Sequence, residues 1–172
     1  LTVAFAQPGT SIYDLGCSTG TTLAVLSEVA LPDVHLIGMD SSMPMLDQAR
    51  AKLSGKPIEL ICQDLNQPFT LKPASVVILN LVLQFLPRER RLAVLREVKQ
   101  SLVSGGCVVI VEKVVPHAAS LRPLYTSLYH NFKRDNGYSD DEIQRKAQAL
   151  NSTLVPLTPD ENRQLLLDAG FT

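Results

Sequence analysis

"IYDLGCSTG", residues 12–20, runs from a short apolar stretch into a turn of small residues, and two chemistries fit it. Gly16-Cys17-Ser18-Thr19-Gly20 matches G-x-S-x-G, the elbow that presents a hydrolase's nucleophilic serine. It also reads as a glycine-rich turn between a strand and a helix, where a bare backbone can cradle a nucleotide. The rest of the chain decides between them.

Outward from this turn, apolar runs alternate with helical patterns. "SIYDLG" (11–16) reads as a strand and "TTLAVLSEVAL" (21–31) as a helix. "VHLIGMD" (34–40) is a second strand, followed by a helix over 42–53, a strand over 58–64 and another over 75–81. Residues 88–103 form the clearest helix, with Leu92, Leu95, Val98, Leu102 and Val103 at spacings of three and four. "SGG" (104–106) reads as its glycine stop, and "CVVIVEKV" (107–114) as a fifth strand. Nearly continuous Val/Ile/Leu strands between helices imply a parallel sheet covered on both faces. The fold class is therefore α/β, a Rossmann-like doubly wound sheet of order 3-2-1-4-5 with right-handed crossovers, in one domain over 1–172. The "LVLQFL" run (81–86) reads as core, with Gln84 a candidate to face substrate.

In such a sheet, ligands bind beyond the carboxyl ends of the strands, where strand order reverses. Four strand ends carry polar groups: Asp14 with the Gly16/Ser18/Gly20 turn, then Asp40, Asp64 and Asn80. Gly16 permits a sharp turn and a close backbone approach. Gly20 lets the next helix pack on the strand. Asp40, twenty residues beyond Gly20, suits a pair of ribose hydroxyls. Asp64 is then placed to meet an adenine amino group. The elbow reading leaves Asp40 and Asp64 without a role. It also lacks an oxyanion segment, and His35 stands at the wrong end of its strand, while His117 and His130 fall in the irregular C-terminal region. Ser18 is thus a turn hydroxyl, and Cys17 contributes its backbone more than its thiol. Asp14 two residues before the first glycine would repel a pyrophosphate but can hold an amino group. That favours the amino-acid tail of S-adenosylmethionine over a pyrophosphate.

Composition excludes several other classes. The 172 residues carry a net charge of −1, which gives no general field for nucleic acid. Arg88, Arg90, Arg91, Arg96 and Lys99 read as the solvated face of an amphipathic helix. Cys17, Cys62 and Cys107 have neither disulfide nor zinc spacing, which points to a reducing, cytoplasmic setting. No His/Asp/Glu cluster has metal spacing. No apolar run reaches the roughly 18 residues of a membrane span.

The D-x-G-x-S-x-G pattern resembles motif I of class I methyltransferases, with Ser18 in place of the usual middle glycine. "QPGTSIYDLGCSTG", "VVILNLVLQFLPRERRLAVL", "SGGCVVIVEK" and "YHNFKRDNGYSDDEI" together resemble the carboxy-S-adenosyl-L-methionine synthase family. "NFKRDNGYS" (131–139) is the most specific of these. The resemblance implies cofactor contacts at Gly16, Cys17 and Ser18, at Asp40 and Ser41, at Asp64 and Leu65, and at Asn80. It implies S-adenosylmethionine, S-adenosylhomocysteine or carboxy-S-adenosylmethionine as the bound nucleotide. It further implies a small-molecule substrate, a homodimer and a link to wobble-uridine modification of tRNA. Relative to the family, the chain starts after an N-terminal helical segment and stops before two strands, which implies a five-stranded sheet. One departure bears on the chemistry. The family places an arginine eight residues beyond the serine of "GYS", against the added carboxylate, and this chain has Ala147 there, beside Arg145 and Lys146. Methyl transfer to an unidentified acceptor, carboxylation with prephenate as donor, and a non-catalytic cofactor-binding module are the three functions in play.

Overall fold

Alternate residues of each central strand are buried on opposite faces of one sheet. The computed structural model describes residues 2–29, 33–150 and 154–172. Its parallel strands are β1 (Thr10–Leu15), β2 (Val34–Asp40), β3 (Ile58–Cys62), β4 (Ala74–Asn80) and β5 (Leu102–Val111), in the order 3-2-1-4-5. Ile12, Leu36, Val76 and Ile78 turn to one face, against Leu23 and Leu26 of α1 (Thr21–Ser27) and Leu46 and Ala49 of α2 (Met43–Lys52). Tyr13, Leu15, Ile37, Met39, Val77 and Leu79 turn to the other. There they meet Val94, Leu95 and Val98 of α3 (Arg88–Ser101) and Leu165 and Leu166 of α6 (Pro159–Asp168). Such two-sided burial is what near-continuous apolar strands require. Between them lie α4 (Arg122–Asp135) and α5 (Asp140–Leu150).

Several boundaries differ from the sequence expectation. The first helix ends at Ser27, and residues 30 and 31 of its expected span lie outside the described residues. The strands expected over 58–64 and 75–81 end at Cys62 and Asn80, which frees Asp64 and Leu81 for the loops. The third helix ends at Ser101, not Val103, and passes directly into strand at Leu102. The glycines of "SGG" therefore do not stop a helix. They serve an irregularity within β5, where the register against β4 shifts between Ala74 and Val76. A Cβ on Gly106 would stand 2.9 Å from the Ser75 carbonyl, so only glycine lets the strands close there. Arg90 and Arg91 also depart from the expected solvated face. Arg91 is buried, and Arg90 pairs with Glu97 at 2.8 Å while donating to the Leu65 carbonyl.

Candidate functional site

Sheet order reverses between β1 and β4, and the candidate residues gather beyond their carboxyl ends. The glycine turn is fixed by backbone bonds: the N–H groups of Gly16 and Cys17 donate to the Met39 carbonyl at 2.7 and 2.9 Å. Gly16, Ser18 and Gly20 all have positive φ, +74°, +50° and +72°. Ser18 thus adopts the left-handed conformation that a glycine would take without cost. Asp40 stabilises it, since Oδ2 accepts from the Ser18 N–H and Oδ1 from the Ser42 N–H, each at 2.8 Å. The Ser18 hydroxyl faces Met45 Sδ at 3.7 Å, which is no base for a nucleophile.

A cleft of about 400 Å3 is lined by Gly16, Ser18, Asp40, Ser41, Asp64, Leu65 and Asn80, and also by Gln63, Asn66, Leu81, Val82, Phe85 and Leu86. Its size suits a small molecule. A smaller hollow adjoins it, lined by Asp14, Gly16, Cys17, Ser18, Asn80 and the threonines Thr19, Thr21 and Thr22. Of the ten residues read from sequence, only Gly20 lies off both walls. It is buried, and the space beyond its Cα is taken by Ala49 of α2 and by Leu53 just past it, so its missing side chain makes room for α2 rather than for the strand. Asp64 is exposed, one oxygen engaged by the Asn66 backbone and side-chain amides at 2.9 Å.

Asp14 is the unusual group. It is buried, and burial pushes its carboxyl up to about 7, against the pull of a Thr22 hydrogen bond and with a smaller push from the Asp40 charge. Burial likewise pushes the Cys17 thiol up to about 12, with Asp14 and Asp40 adding to it, so this thiol stays protonated and inert at neutral pH. Cys107 is pushed up by burial as well, whereas Cys62 is exposed at the end of β3. No lysine, arginine or histidine lines either cavity among the described residues. Nor do those residues bring three His, Cys, Asp or Glu together as metal ligands.

The sequence reading missed part of the wall. Leu81 and Phe85 belong to "LVLQFL" but are exposed, and they line the cleft while Val82, Leu83 and Leu86 are buried. Gln84 does not face the cleft. It is buried, with Oε1 unpartnered and Nε2 donating to the Leu81 carbonyl at 3.3 Å. The missed signal is the apolar run's position, directly after a strand whose end already carried a candidate. Lys133 stacks over Tyr129, 4.6 Å from the ring centre, and Arg134 pairs with Asp140, so neither reaches the cleft.

The family described as "Methyltransferase domain" matches residues 12–106, which hold the turn, most of β1, all of β2 to β4 and the first half of β5. A carboxy-S-adenosyl-L-methionine synthase of Trichlorobacter lovleyi is 41% identical over 98% of this chain and 71% of its own length. Among solved structures, a possible exported protein of Bordetella parapertussis superposes with TM-score 0.69 at 23% identity, over 98% of this chain and 57% of that one, and shows the fold alone. An S-adenosylmethionine-dependent methyltransferase of Mesorhizobium loti gives TM-score 0.55 at 25% identity, over 63% of this chain and 48% of that one. The chain thus spans about half the length of the solved chains and about seven-tenths of its curated relative. By sequence along nearly its whole length, and by the sheet order and glycine turn that the sequence builds, this chain belongs to the carboxy-S-adenosyl-L-methionine synthase family of class I methyltransferases.

Proposed function

We propose that this chain transfers a methyl group from S-adenosylmethionine to a small-molecule acceptor. The carrying observation is the charge of the clefts: Asp14, Asp40 and Asp64 line them, and no cationic side chain does among the described residues. The residues fit the cofactor on their own chemistry. Asp40 would hold ribose hydroxyls, Asp64 an adenine amino group, and the buried Asp14 a cationic amino group. The bound sulfonium supplies an electrophilic methyl group that leaves a neutral thioether behind. The protein then has to orient donor and acceptor in line and exclude water, and Leu81, Val82, Phe85 and Leu86 supply an apolar wall for that. A carboxylate added near the sulfonium would lie among carboxylates, and the Lys52 ammonium behind the smaller hollow is already engaged, donating to the Thr19 and Thr21 hydroxyls at 3.0 Å. Ala147 cannot serve, and the Arg145 Nε donates to the Asp141 carbonyl at 3.3 Å on its own helix.

The second reading is carboxy-S-adenosylmethionine synthesis from prephenate, feeding tRNA wobble-uridine modification. Its support is the 41% identity to a relative of that name. One experiment separates the two. The full-length protein is incubated with S-adenosylmethionine and prephenate, and the bound nucleotide is weighed by mass spectrometry. An unchanged mass is expected; a gain of one carboxyl group overturns the proposal. Calorimetry should show S-adenosylhomocysteine binding and no response to NAD; no binding of either would favour a chain without this chemistry. A homodimer is part of the proposal. Leu124, Tyr125, Leu128, Tyr129 and Phe132 form an exposed apolar stripe at helical spacing along α4, of the kind a partner covers. A cytoplasmic location is part of it too, supported by three unpaired cysteines; no described helix is long and apolar enough to cross a membrane.

A further inference from the structure

The turn after β4 holds a conformation that non-glycine residues avoid. Leu81 has φ +59° and yet stands on the cleft wall, 46% exposed. The preceding residue, Asn80, borders both cavities, so Leu81 follows the residue at their junction. Two ions of opposite sign grip this turn. Glu112, just past β5, accepts from three consecutive N–H groups, those of Val82, Leu83 and Gln84, at 2.9, 2.7 and 3.2 Å. Arg91 takes the far end, donating through Nε and Nη2 to the Leu86 carbonyl at 3.0 and 2.9 Å, and to the Val155 carbonyl at 2.8 Å. The Leu81 N–H itself donates to the Val111 carbonyl at 2.7 Å, one residue before Glu112. Committing a half-buried carboxylate and a buried guanidinium to six residues of loop exceeds what capping one turn of 3-10 helix (Leu83–Phe85) needs.

We propose that Glu112 is a positioning residue for the acceptor side of the cleft. Its carboxylate holds Leu81 in the left-handed conformation, and so sets Leu81 and Phe85 as the apolar wall beside the reacting centre. This rests on reading the cleft as a cofactor site. The test uses the full-length protein as wild type, Glu112→Gln and Glu112→Asp, each also in a Leu81→Gly background. Amide hydrogen exchange across residues 80–86 is measured without nucleotide, S-adenosylhomocysteine affinity by calorimetry, and melting temperature for all. In Glu112→Gln, exchange at 82–84 should quicken about tenfold or more, as loss of a charge-assisted hydrogen bond predicts. The nucleotide Kd should rise less than about tenfold, because Asp14, Asp40 and Asp64 are untouched although Val82 and Phe85 line the same cleft. Glu112→Asp should recover part of the protection, and keeps the test open if the Gln variant does not fold. The fall in melting temperature should be smaller in the Leu81→Gly background, where the left-handed residue carries no strain. Unchanged exchange at 82–84, or an equal melting loss in both backgrounds, overturns the proposal. Affinity that falls in step with melting temperature makes Glu112 merely structural. A wild type that does not bind the nucleotide refutes the cofactor reading and the acceptor-side assignment, while exchange still reports whether Glu112 holds the turn.

Discussion

Asp14 carries opposed demands. Its carboxyl, at 3.8 in an unstructured chain, is pushed by burial up to about 7 in the fold. The folded state therefore holds this proton more tightly, and the group's contribution to stability is full below about pH 4 and is lost as pH rises to about 7. The loss is on the order of 4 kcal/mol. A cationic ligand group prefers the carboxylate, so below about pH 7 binding must expel a proton. S-adenosylhomocysteine affinity should then rise with pH up to about 7 and level off above it, which calorimetry at pH 6 and 8 checks. Asp14→Asn should stabilise the ligand-free protein at pH 8 in urea unfolding and weaken the nucleotide. Asp40→Ala should weaken it by about 1–3 kcal/mol, since the Ser18 and Ser42 amides lose their acceptor along with any ribose contact. That Asp14, Asp40, Asp64 and Asn80 gather at the cavities is legible in the sequence because each stands within two residues of the end of an apolar run. Glu112 is not, since its partners are backbone amides that no residue pattern announces. Arg91 defeats a sequence reading because a charged residue among charged neighbours looks solvated until the carbonyls facing it are known.

Strands are more legible than their ends. The run of Val, Ile and Leu over 107–111 marks β5, but the helix-to-strand switch at Ser101 and Leu102 is decided by pairing with Ala74, a contact 28 positions distant. As the edge of the described sheet, β5 has no strand beyond it. Its outward amides should exchange faster than those of the central β1, and equal slow exchange over 107–113 and 11–15 in a monomer would contradict an open edge. Gly38 shows how tightly β2 is packed. A Cβ there would stand 2.6 Å from Leu23 Cδ1 and 2.9 Å from both Cys17 Sγ and Leu60 Cδ2. Gly38→Ala should destabilise by about 1–3 kcal/mol in denaturant unfolding through overpacking, and displace the turn that Cys17 anchors.

At the scale of the molecule, the sheet order and the two covered faces are readable from strand and helix alternation, whereas the assembly is not. The apolar positions of α4 satisfy a helical period equally well for a core or for a partner, and only their exposure tells them apart. Replacing Phe132 and Leu128 by Glu should leave the monomer fold intact and shift sedimentation from dimer to monomer. A wild type that sediments as a monomer at tens of micromolar would refute the dimer.

The three thiols differ so widely in environment that they amount to a built-in selective label. Cys17 is buried and Cys107 partly buried, and burial pushes both thiols up, while Cys62 is open to solvent and pairs in register with Asp40. A maleimide dye at neutral pH should couple to Cys62 alone, leaving a fluorophore next to Gln63 and Asp64 on the cleft rim. Its emission would then report arrivals and departures in real time, without a mutation and whatever the acceptor is.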